Sequence, residues 1–237
     1  MNNISGIHAV REALRARSQS IRKIVVAEGS LDTRKREILS LARESGIPVY
    51  REPRDRVGTQ GVTAELVAFE WSDFHELLEG AKTPAFFLAL DQIEDPRNFG
   101  AVVRAAEGAG VDGIVVPERK TAPPSEVAIS ASAGALHHTK IARVRNLADA
   151  LTEMKEKGIW SVGLTPDANT PWHSFDYTEP VILVLGSEGK GLRRRVAKTC
   201  DTLIALPRRG FVESLNVSVA AGITLYEVLR QRTKTPS

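Results

Sequence analysis

Short and almost purely apolar segments alternate along this chain with segments of helical periodicity, and this alternation constrains the fold more than any other feature. The segment Ala85–Leu90 reads AFFLAL, and the segment Val181–Leu185 reads VILVL. Strands that are apolar on both faces are typical of parallel sheets that helices cover on each side. The sequence therefore predicts an α/β fold that is built on a parallel sheet.

The alternation is strongest after residue 84. The predicted strands there are Ala85–Leu90, Gly113–Val116, Lys140–Val144, Trp160–Leu164, Val181–Leu185 and Thr202–Leu206. The predicted helices are Asp95–Ala109, Ser125–Ala135, Asn146–Lys157, a basic helix after Val181–Leu185, and a long closing helix over Glu213–Gln231. We expect the strands to lie side by side, because strand–helix–strand units build parallel sheets.

The first part of the chain predicts a smaller α/β domain. Its predicted helices are Ile7–Arg17 and Asp32–Glu44, and its predicted strands are Ile21–Ala27, Pro48–Tyr50 and Gly61–Phe69. The acidic stretch Glu70–Glu79 predicts a short helix, and the residues Gly80-Ala81-Lys82-Thr83-Pro84 that follow it indicate a linker. We therefore predict one domain over residues 1–70, a linker over 71–83 and a second domain over 84–237.

Positive charge is concentrated in two places. The chain has 32 Lys and Arg against 29 Asp and Glu, a net charge of +3, but residues 1–60 hold 12 against 7, a net +5. Residues 190–209 hold 7 basic residues against 1 acidic residue. Two basic patches fit a polyanionic partner. Solvated helix faces would give the same pattern, and from charge alone we favour that simpler interpretation.

Several classes of protein are excluded. No apolar run approaches the roughly 20 residues that a membrane span needs, and the start Met1-Asn2-Asn3 is unlike a secretory signal. The single cysteine, Cys200, has no partner for an internal disulfide. The five histidines are scattered or adjacent, a pattern that does not indicate a metal site. We expect a soluble, cytoplasmic protein with no metal and no membrane partner.

Two glycine motifs are misleading. Residues 108–113 match G-x-G-x-x-G, but they follow a predicted helix and precede a strand, the reverse of the order in a dinucleotide-binding fingerprint. We interpret them as a helix end and a turn. Residues 186–192 read GSEGKGL and lack the Ser or Thr that follows the lysine of a phosphate-binding P-loop.

Hydrophobic patterning leaves three polar segments unexplained. They are residues 91–104 (DQIEDPRNFGAVVR), 184–189 (VLGSEG) and 206–220 (LPRRGFVESLNVSVA). All three lie at the carboxyl ends of predicted strands, where open α/β sheets bind ligands. Their glycines allow a ligand to approach the backbone, and their Asn, Ser, Glu and Arg side chains supply directed hydrogen bonds.

These segments resemble the three motifs of the SpoU family, the RNA 2′-O-ribose methyltransferases of the SPOUT superfamily. DPRNFGAVVRAAE, LGSEGKGL and SLNVSVA occur in the family's order, and the resemblance covers residues 84 to about 231. The N-terminal sequences GIHAV and TQGV resemble an RNA-binding domain that is similar to kink-turn-binding ribosomal proteins. The resemblance is greatest to bacterial 23S rRNA guanosine-2′-O-methyltransferases, although this chain has Pro-Arg-Arg-Gly where many relatives have Pro-Met-x-Gly.

The resemblance implies a parallel-sheet domain whose segment Val181–Ala221 forms a deep trefoil knot. It implies S-adenosylmethionine as the cofactor, and the implied cofactor-binding residues are Leu164, Gly186, Ser187, Leu206 and Leu215. It also implies a homodimer to which the last helix contributes. The apolar positions of that helix are Val217, Ala221, Leu225 and Val228, which would be ordinary core in an isolated domain.

The resemblance assigns catalysis to polar residues of the three motifs, and these are Asn98, Arg104, Glu188, Ser214 and Asn216. Arg104 is the implied activator of the ribose hydroxyl. A guanidinium has a pKa above about 12, so we expect it to donate hydrogen bonds to a developing alkoxide rather than to act as a literal base. Ser214 could alternatively cap the last helix. The predicted RNA contacts are Lys190, Arg193, Arg208 and Arg209.

Two functions from different classes stay open. The first is methyl transfer to structured RNA, most specifically to a guanosine of 23S rRNA, with tRNA as the alternative substrate. The second is a noncatalytic RNA-binding ribosome-assembly factor, which would not need the complete polar set. A nicotinamide-dependent enzyme is disfavoured, because the glycines lie on the wrong side of the helix.

Overall fold

The computed structural model describes residues 3–18, 21–66, 69–207, 209–211 and 214–234. The chain divides into two compact units, which are residues 1–70 (the first unit) and 71–237 (the second unit). The short helix that the sequence predicts in the acidic stretch is confirmed as α3 (Phe74–Glu79), which lies within the predicted linker 71–83. Phe74, Leu77 and Leu78 are buried in the core of the second unit. The structure therefore places most of this segment within the second unit.

The first unit is a four-stranded sheet with two helices. Its elements are β1 (Asn3–Ser5), α1 (Ile7–Arg17), β2 (Ile21–Ala27), α2 (Thr33–Glu44), β3 (Val49–Glu52) and β4 (Val62–Leu66). The strand order is β1-β4-β2-β3, and only the pair of β2 and β3 is parallel. Both helices bury their apolar sides in one core with the sheet. Strand β1 was not predicted, since three residues are too few to show a periodicity.

The two N-terminal motifs are neighbours in this unit. The backbone N–H of Gly6 donates to the carbonyl of Val62 (3.0 Å), and the N–H of Ile7 donates to Gln60 Oε1 (2.9 Å). The side chain of Gln60 thereby serves the first turn of α1, because Gly6 has no side chain with which to cap it. Of the predicted strand Gly61–Phe69, the part Val62–Leu66 is confirmed as β4. Val67 and Ala68 of the predicted strand lie outside the described residues.

The second unit is a parallel sheet of seven strands. Its strands are β5 (Phe86–Asp91), β6 (Gly113–Pro117), β7 (Ile141–Val144), β8 (Trp160–Leu164), β9 (Thr170–Pro171), β10 (Val181–Gly186) and β11 (Thr202–Ala205). Its helices after α3 are α4 (Pro96–Gly108), α5 (Glu126–Ala131), α6 (Leu147–Glu156), α7 (Arg194–Thr199) and α8 (Val217–Lys234). The strand order is β7-β6-β5-β10-β8-β11-β9, which confirms the predicted parallel α/β fold. The trefoil knot stays a prediction.

Three predicted helices are shorter in the structure. Helix α5 ends at Ala131, because Ala133 and Gly134 take positive φ angles of 48° and 93° and the chain turns away. The basic helix is reduced to α7, since residues 187–191 form a tight turn. Helix α8 begins at Val217 rather than Glu213, which lies outside the described residues.

The glycines of the false dinucleotide motif have the predicted positions. Gly108 is the last residue of α4, Gly110 takes a positive φ of 78°, and Gly113 opens β6. They therefore form a helix end and a turn before a strand. Close packing explains Gly113, since a Cβ atom there would lie 2.3 Å from Leu77 Cδ1.

Candidate active site

A cleft of about 510 Å³ opens at the carboxyl ends of the strands of the second unit. Three loops line it: residues 164–167 after β8, residues 185–192 around the end of β10, and residues on both sides of the loop between β11 and α8. Its volume is in the range of small-molecule sites. Its position at the ends of parallel strands is the one that the sequence predicted.

A chain of side-chain hydrogen bonds joins the three polar motifs. Asn216 Nδ2 donates to Asn98 Oδ1 (2.9 Å), and Asn98 Nδ2 donates to Glu188 Oε2 (3.1 Å). These residues are 90 and 118 positions apart in sequence. Because Asn98 accepts with its oxygen and donates with its nitrogen, its amide orientation is fixed by both neighbours.

The start of α4 positions Asn98. Asp95 Oδ1 accepts from the backbone N–H groups of Arg97 (2.8 Å) and Asn98 (2.9 Å), and Pro96 occupies the first helical position. An Asp cap followed by Pro is a strong signal for a helix start. It fixes Asn98 in the first turn, next to the loop that carries Glu188.

Asn216, rather than Ser214, caps α8. Asn216 Oδ1 accepts from the backbone N–H (2.9 Å) and the hydroxyl (2.6 Å) of Ser218. Its Nδ2 group remains available for Asn98, so one side chain both begins the helix and joins the motifs. Ser214 lies two residues outside the cap, lines the cleft and is exposed. The alternative role of Ser214 as the helix cap is therefore wrong.

Arg104 stands apart from this chain of hydrogen bonds. It is exposed on α4, six residues after Asn98, which corresponds to a rise of about 9 Å and a rotation of about 240° around the helix. Among the residues that the structure describes, it has no hydrogen-bond or ion-pair partner. Its guanidinium is therefore free to meet a substrate.

An ion pair between a buried carboxylate and a partly exposed arginine holds the turn after β10. Asp91 is fully buried at the end of β5, and it accepts from Arg193 through the backbone N–H (2.8 Å), Nε (2.7 Å) and Nη2 (2.7 Å). Sequence reasoning missed Asp91, although a carboxylate directly after the buried run FFLAL was the available signal. Arg193 has two side-chain nitrogens engaged, so it offers an RNA phosphate fewer donors than an unpaired arginine would.

Glycine is required at the base of the same turn. A Cβ atom on Gly186 would lie 2.1 Å from the carbonyl carbon of Gly191, too close for any side chain. Ser187 and Gly191 also exchange two backbone hydrogen bonds, of 3.2 Å and 2.8 Å. Together with Asp91 and Arg193, these contacts fix the backbone that carries Glu188.

The structure brings all five predicted cofactor residues to the cleft, and they are Leu164, Gly186, Ser187, Leu206 and Leu215. Three leucines supply apolar wall, while Asp167, Ser187 and Ser214 supply polar groups. This combination suits an amphipathic ligand that carries an adenosine and a charged tail. The residues present therefore fit S-adenosylmethionine.

The predicted RNA contacts have different surroundings. Lys190 is exposed and lines the cleft, Arg209 is exposed, and Arg193 is bound to Asp91. Arg208 lies outside the described residues. Arg195 pairs with Asp149 at 2.5 Å, so one of the three consecutive arginines at 193–195 has an exposed carboxylate partner.

Other chemistries find less support. Burial and the neighbouring Asp201 and Asp91 raise the pKa of the Cys200 thiol to about 12, so it is protonated at neutral pH and is a poor nucleophile. Among the described residues, no cluster of three or more His, Cys, Asp or Glu side chains could hold a metal ion. No helix in the described part of the chain is long and apolar enough to span a membrane.

Comparison with protein families decides the assignment. The profile of the SpoU rRNA methylase family matches residues 85–226, and that of the RNA 2′-O ribose methyltransferase substrate-binding domain matches residues 4–71. The chain belongs to the SpoU rRNA methylase family. The first profile describes rRNA methylases and the second describes the substrate-binding domain of RNA 2′-O-ribose methyltransferases, so together they identify the chain as an RNA 2′-O-ribose methyltransferase.

Full-length relatives support the SpoU assignment. YacO of Bacillus subtilis, named provisionally as a TrmH-family tRNA/rRNA methyltransferase, is 40% identical over 97% of this chain and 95% of its own. The 23S rRNA (guanosine-2′-O-)-methyltransferase RlmB of Pseudomonas putida is 36% identical over 98% of this chain and 97% of its own.

Solved SpoU-type structures share the fold. The AdoMet-bound rRNA methyltransferase of Sinorhizobium meliloti has a TM-score of 0.69 and 25% identity, over 96% of this chain and 86% of its own. The SpoU methyltransferase AviRb of Streptomyces viridochromogenes has a TM-score of 0.72 over 98% of this chain and 91% of its own, and at 23% identity it supports the fold alone.

Proposed function

We propose that this chain transfers the methyl group of S-adenosylmethionine to the ribose 2′-hydroxyl of a guanosine in 23S rRNA. The observation that carries the chemistry is the chain of hydrogen bonds through Asn216, Asn98 and Glu188, beside a cleft that fits the cofactor. The similarity to the P. putida RlmB supports guanosine in 23S rRNA as the target.

The cofactor supplies an electrophilic methyl group on a sulfonium, and the rest of the chemistry is positioning. Leu164, Leu206 and Leu215 would pack against its apolar parts, and the backbone around Gly186 and Ser187 would hold its polar parts. The narrow turn at Gly186 keeps that backbone in place. Methyl transfer needs no metal and no covalent enzyme intermediate.

The polar residues act on the RNA ribose. Arg104 has no partner among the described residues, and it donates hydrogen bonds to the ribose 2′-oxygen and to the adjacent phosphate. The bond to the 2′-oxygen stabilises the negative charge that develops as the 2′-hydroxyl loses its proton to water. Glu188 and Asn216 hold Asn98 from its two sides. The RNA segment that carries the target ribose therefore meets a rigid polar surface of the protein. A noncatalytic RNA-binding protein would have no need of this arrangement.

A tRNA substrate is the second candidate. The name of the 40% identical B. subtilis relative gives both tRNA and rRNA, and a solved Aquifex aeolicus TrmH/SpoU tRNA-modifying enzyme is 29% identical over 68% of this chain, with a TM-score of 0.55. That match leaves about a third of this chain uncovered. The full-length match to RlmB therefore favours rRNA.

We also propose that the enzyme is a homodimer. The predicted apolar residues Val217, Ala221, Leu225 and Val228 are buried in the core. A different side of α8 exposes Val219, Ile223 and Tyr226, which follow the i, i+4, i+7 spacing of one helix face. A second copy of the same helix face would cover this stripe. Light scattering of the purified protein should give twice the chain mass of 25.8 kDa.

The substrate is tested by incubating the protein and labelled S-adenosylmethionine with unmodified 23S rRNA and with unmodified tRNA transcripts. The products are digested to nucleosides and identified by mass spectrometry. We expect 2′-O-methylguanosine from 23S rRNA only. Methylation of tRNA alone would support the second candidate, and a base-methylated nucleoside, or no methylation of either RNA, would contradict the proposal.

A further inference from the structure

Phe211 is the most exposed large apolar side chain among the described residues, and it is fully accessible to solvent. It lies in the loop between β11 and α8. Both ends of this loop reach the cleft, through Leu206 on one side and Ser214 and Leu215 on the other. An aromatic ring at the rim of an active site, with no packing of its own, gives nothing to the folded state and is available to a ligand.

Exposed cations occur in the loop that carries Phe211 and in the cleft that this loop reaches. Arg209, two residues earlier, is exposed, and Lys190 lines the cleft from the turn after β10. Nothing lies within 4 Å of the position that a Cβ atom on Gly210 would take. An aromatic ring among exposed cations is the combination that binds unpaired nucleotides, because the ring stacks on a base while the cations meet phosphates.

Two other occupants fit less well. The adenine of the cofactor would lie inside the cleft, where Leu164, Leu206 and Leu215 already supply apolar wall, and Phe211 does not line the cleft. A second copy of the chain needs an extended apolar surface, and Phe211 offers a single ring. The exposed apolar stripe of α8, which contains Val219 and Ile223, suits that partner better.

We propose that Phe211 stacks on a base of the RNA substrate at the rim of the active site, and so holds the strand whose ribose is methylated. This inference rests on the proposed function, since it takes the ligand of the cleft's rim to be RNA. Every base has an aromatic face, so stacking tolerates any nucleotide. Phe211 therefore sets how tightly the strand is held and leaves the choice of nucleotide to other contacts.

The test compares the parent with Phe211→Ala, Phe211→Leu and Phe211→Trp. Trp160→Ala is the matched control, because Trp160 is also an exposed aromatic residue but lies at the first residue of β8, at the amino end of the sheet. Each protein is assayed for binding to labelled 23S rRNA transcript by filter retention, for the KM and kcat of RNA methylation, and for S-adenosylmethionine affinity by calorimetry.

We expect Phe211→Ala to weaken RNA binding and raise the KM for RNA by roughly 5- to 150-fold, the range for loss of one stacked base. Phe211→Leu should bind RNA nearly as weakly as Phe211→Ala, because leucine keeps apolar area but has no aromatic face. Phe211→Trp should bind RNA about as tightly as the parent. The control should match the parent. Cofactor affinity should be unchanged in all variants.

Three results would overturn the inference. They are unchanged RNA binding by Phe211→Ala, RNA binding by Phe211→Leu that equals the parent's, and a loss of cofactor affinity in Phe211→Ala with RNA binding intact. Failure of the proposed function would look different, because the parent itself would then methylate no RNA. The filter-binding series does not depend on methyl transfer, and it would still decide the role of Phe211.

Discussion

Polar and charged side chains are arranged differently in the two units. In the first unit, Arg15 pairs with Glu37 (2.7 Å) and Lys23 with Glu65 (3.0 Å), and both cations are partly exposed. In the second unit, Asp91 is fully buried against Arg193, and Asn98 is bound from both sides. Exposed ion pairs contribute up to about 1 kcal/mol, whereas removing the partner of a buried carboxylate costs more, because it leaves an uncompensated charge away from water.

This difference suggests that the first unit contributes to RNA affinity and the second unit to the methyl-transfer reaction. We expect the surface cations of the first unit to attract RNA by charge and not by exact position. The second unit holds a few polar groups in one geometry, and that geometry depends on contacts between loops that are distant in sequence. Substitutions in the first unit should therefore act gradually, and substitutions in the second unit should act steeply.

The largest effect on stability should come from the position at which the chain is truncated before the second unit. A chain that begins at Thr83 loses Phe74, Leu77 and Leu78, which are at most 9% exposed. At about 1.5–3 kcal/mol for each side chain, the loss is roughly 5–9 kcal/mol, comparable with the whole stability of a domain. We expect this chain to aggregate, whereas a chain that begins at Trp71 should fold. Circular dichroism melting of the two chains, side by side, decides whether α3 belongs to the second unit.

The next effect concerns Arg104. Arg104→Ala should lower turnover by roughly two or more orders of magnitude, because it removes a donor to the developing negative charge. Cofactor affinity, measured by calorimetry, should not change. Arg145→Ala is the matched control, since Arg145 is an exposed arginine directly after β7 at the same end of the sheet. Near-parent methylation by Arg104→Ala would remove Arg104 from the reaction.

A smaller effect should follow from breaking the hydrogen bonds of Asn98. Asn98→Ala removes the contacts to Glu188 and Asn216, so kcat should fall by roughly 10- to 100-fold through misplacement of the loops. Asn98→Asp should not restore it, because a second carboxylate would face Glu188. In Asn146→Ala, which removes the cap of α6 (Ala148 N–H to Asn146 Oδ1, 3.1 Å), stability should fall by about 1 kcal/mol while kcat is kept. Equal kcat values for the Asn98 and Asn146 variants would show that the joined motifs have no catalytic role.

The smallest effects should come from single surface cations. Arg51, Arg54 and Arg56 of the first unit are exposed and form no ion pair with any described residue. Each alanine substitution among them, and each at Lys190 or Arg209, should weaken RNA binding and reduce the slope of log affinity against log salt by up to about 0.7. Arg195→Ala should change the slope less than the other substitutions, because Arg195 already has Asp149 as an exposed partner. If only the second-unit variants alter the slope, the first unit does not bind RNA through these arginines.

Local signals made much of the site predictable. Asp95-Pro96 marks the start of α4 and thereby places Asn98, and Gly186 marks a turn in which no Cβ fits. The apolar runs of β5 and β10 predict a parallel sheet, whose carboxyl ends then gather the three motifs. The resemblance to the SpoU motifs added the cofactor and the identity of the polar set.

Long-range contacts were not predictable in the same way. The pairing of Asp91 with Arg193 joins residues 102 positions apart, and periodicity carries no information about it. The sequence allows Ser214 as a cap of α8, and only the hydrogen bond from the Ser218 N–H to Asn216 Oδ1 shows that Asn216 is the cap. The sequence predicted a short helix within 71–83 but not its burial in the second unit, because a helix of six residues is too short for a clear periodicity.

The central claim is that the second unit by itself holds the methyl donor, and calorimetric titration with S-adenosylmethionine tests it most directly. The full chain and the chain of residues 71–237 are titrated in parallel, after circular dichroism has shown that both are folded. All residues that line the cleft lie between Leu164 and Ala220, so we expect one binding site per chain and the same dissociation constant for both. Absence of binding to the full chain, or its loss in a folded 71–237 chain, would contradict the claim.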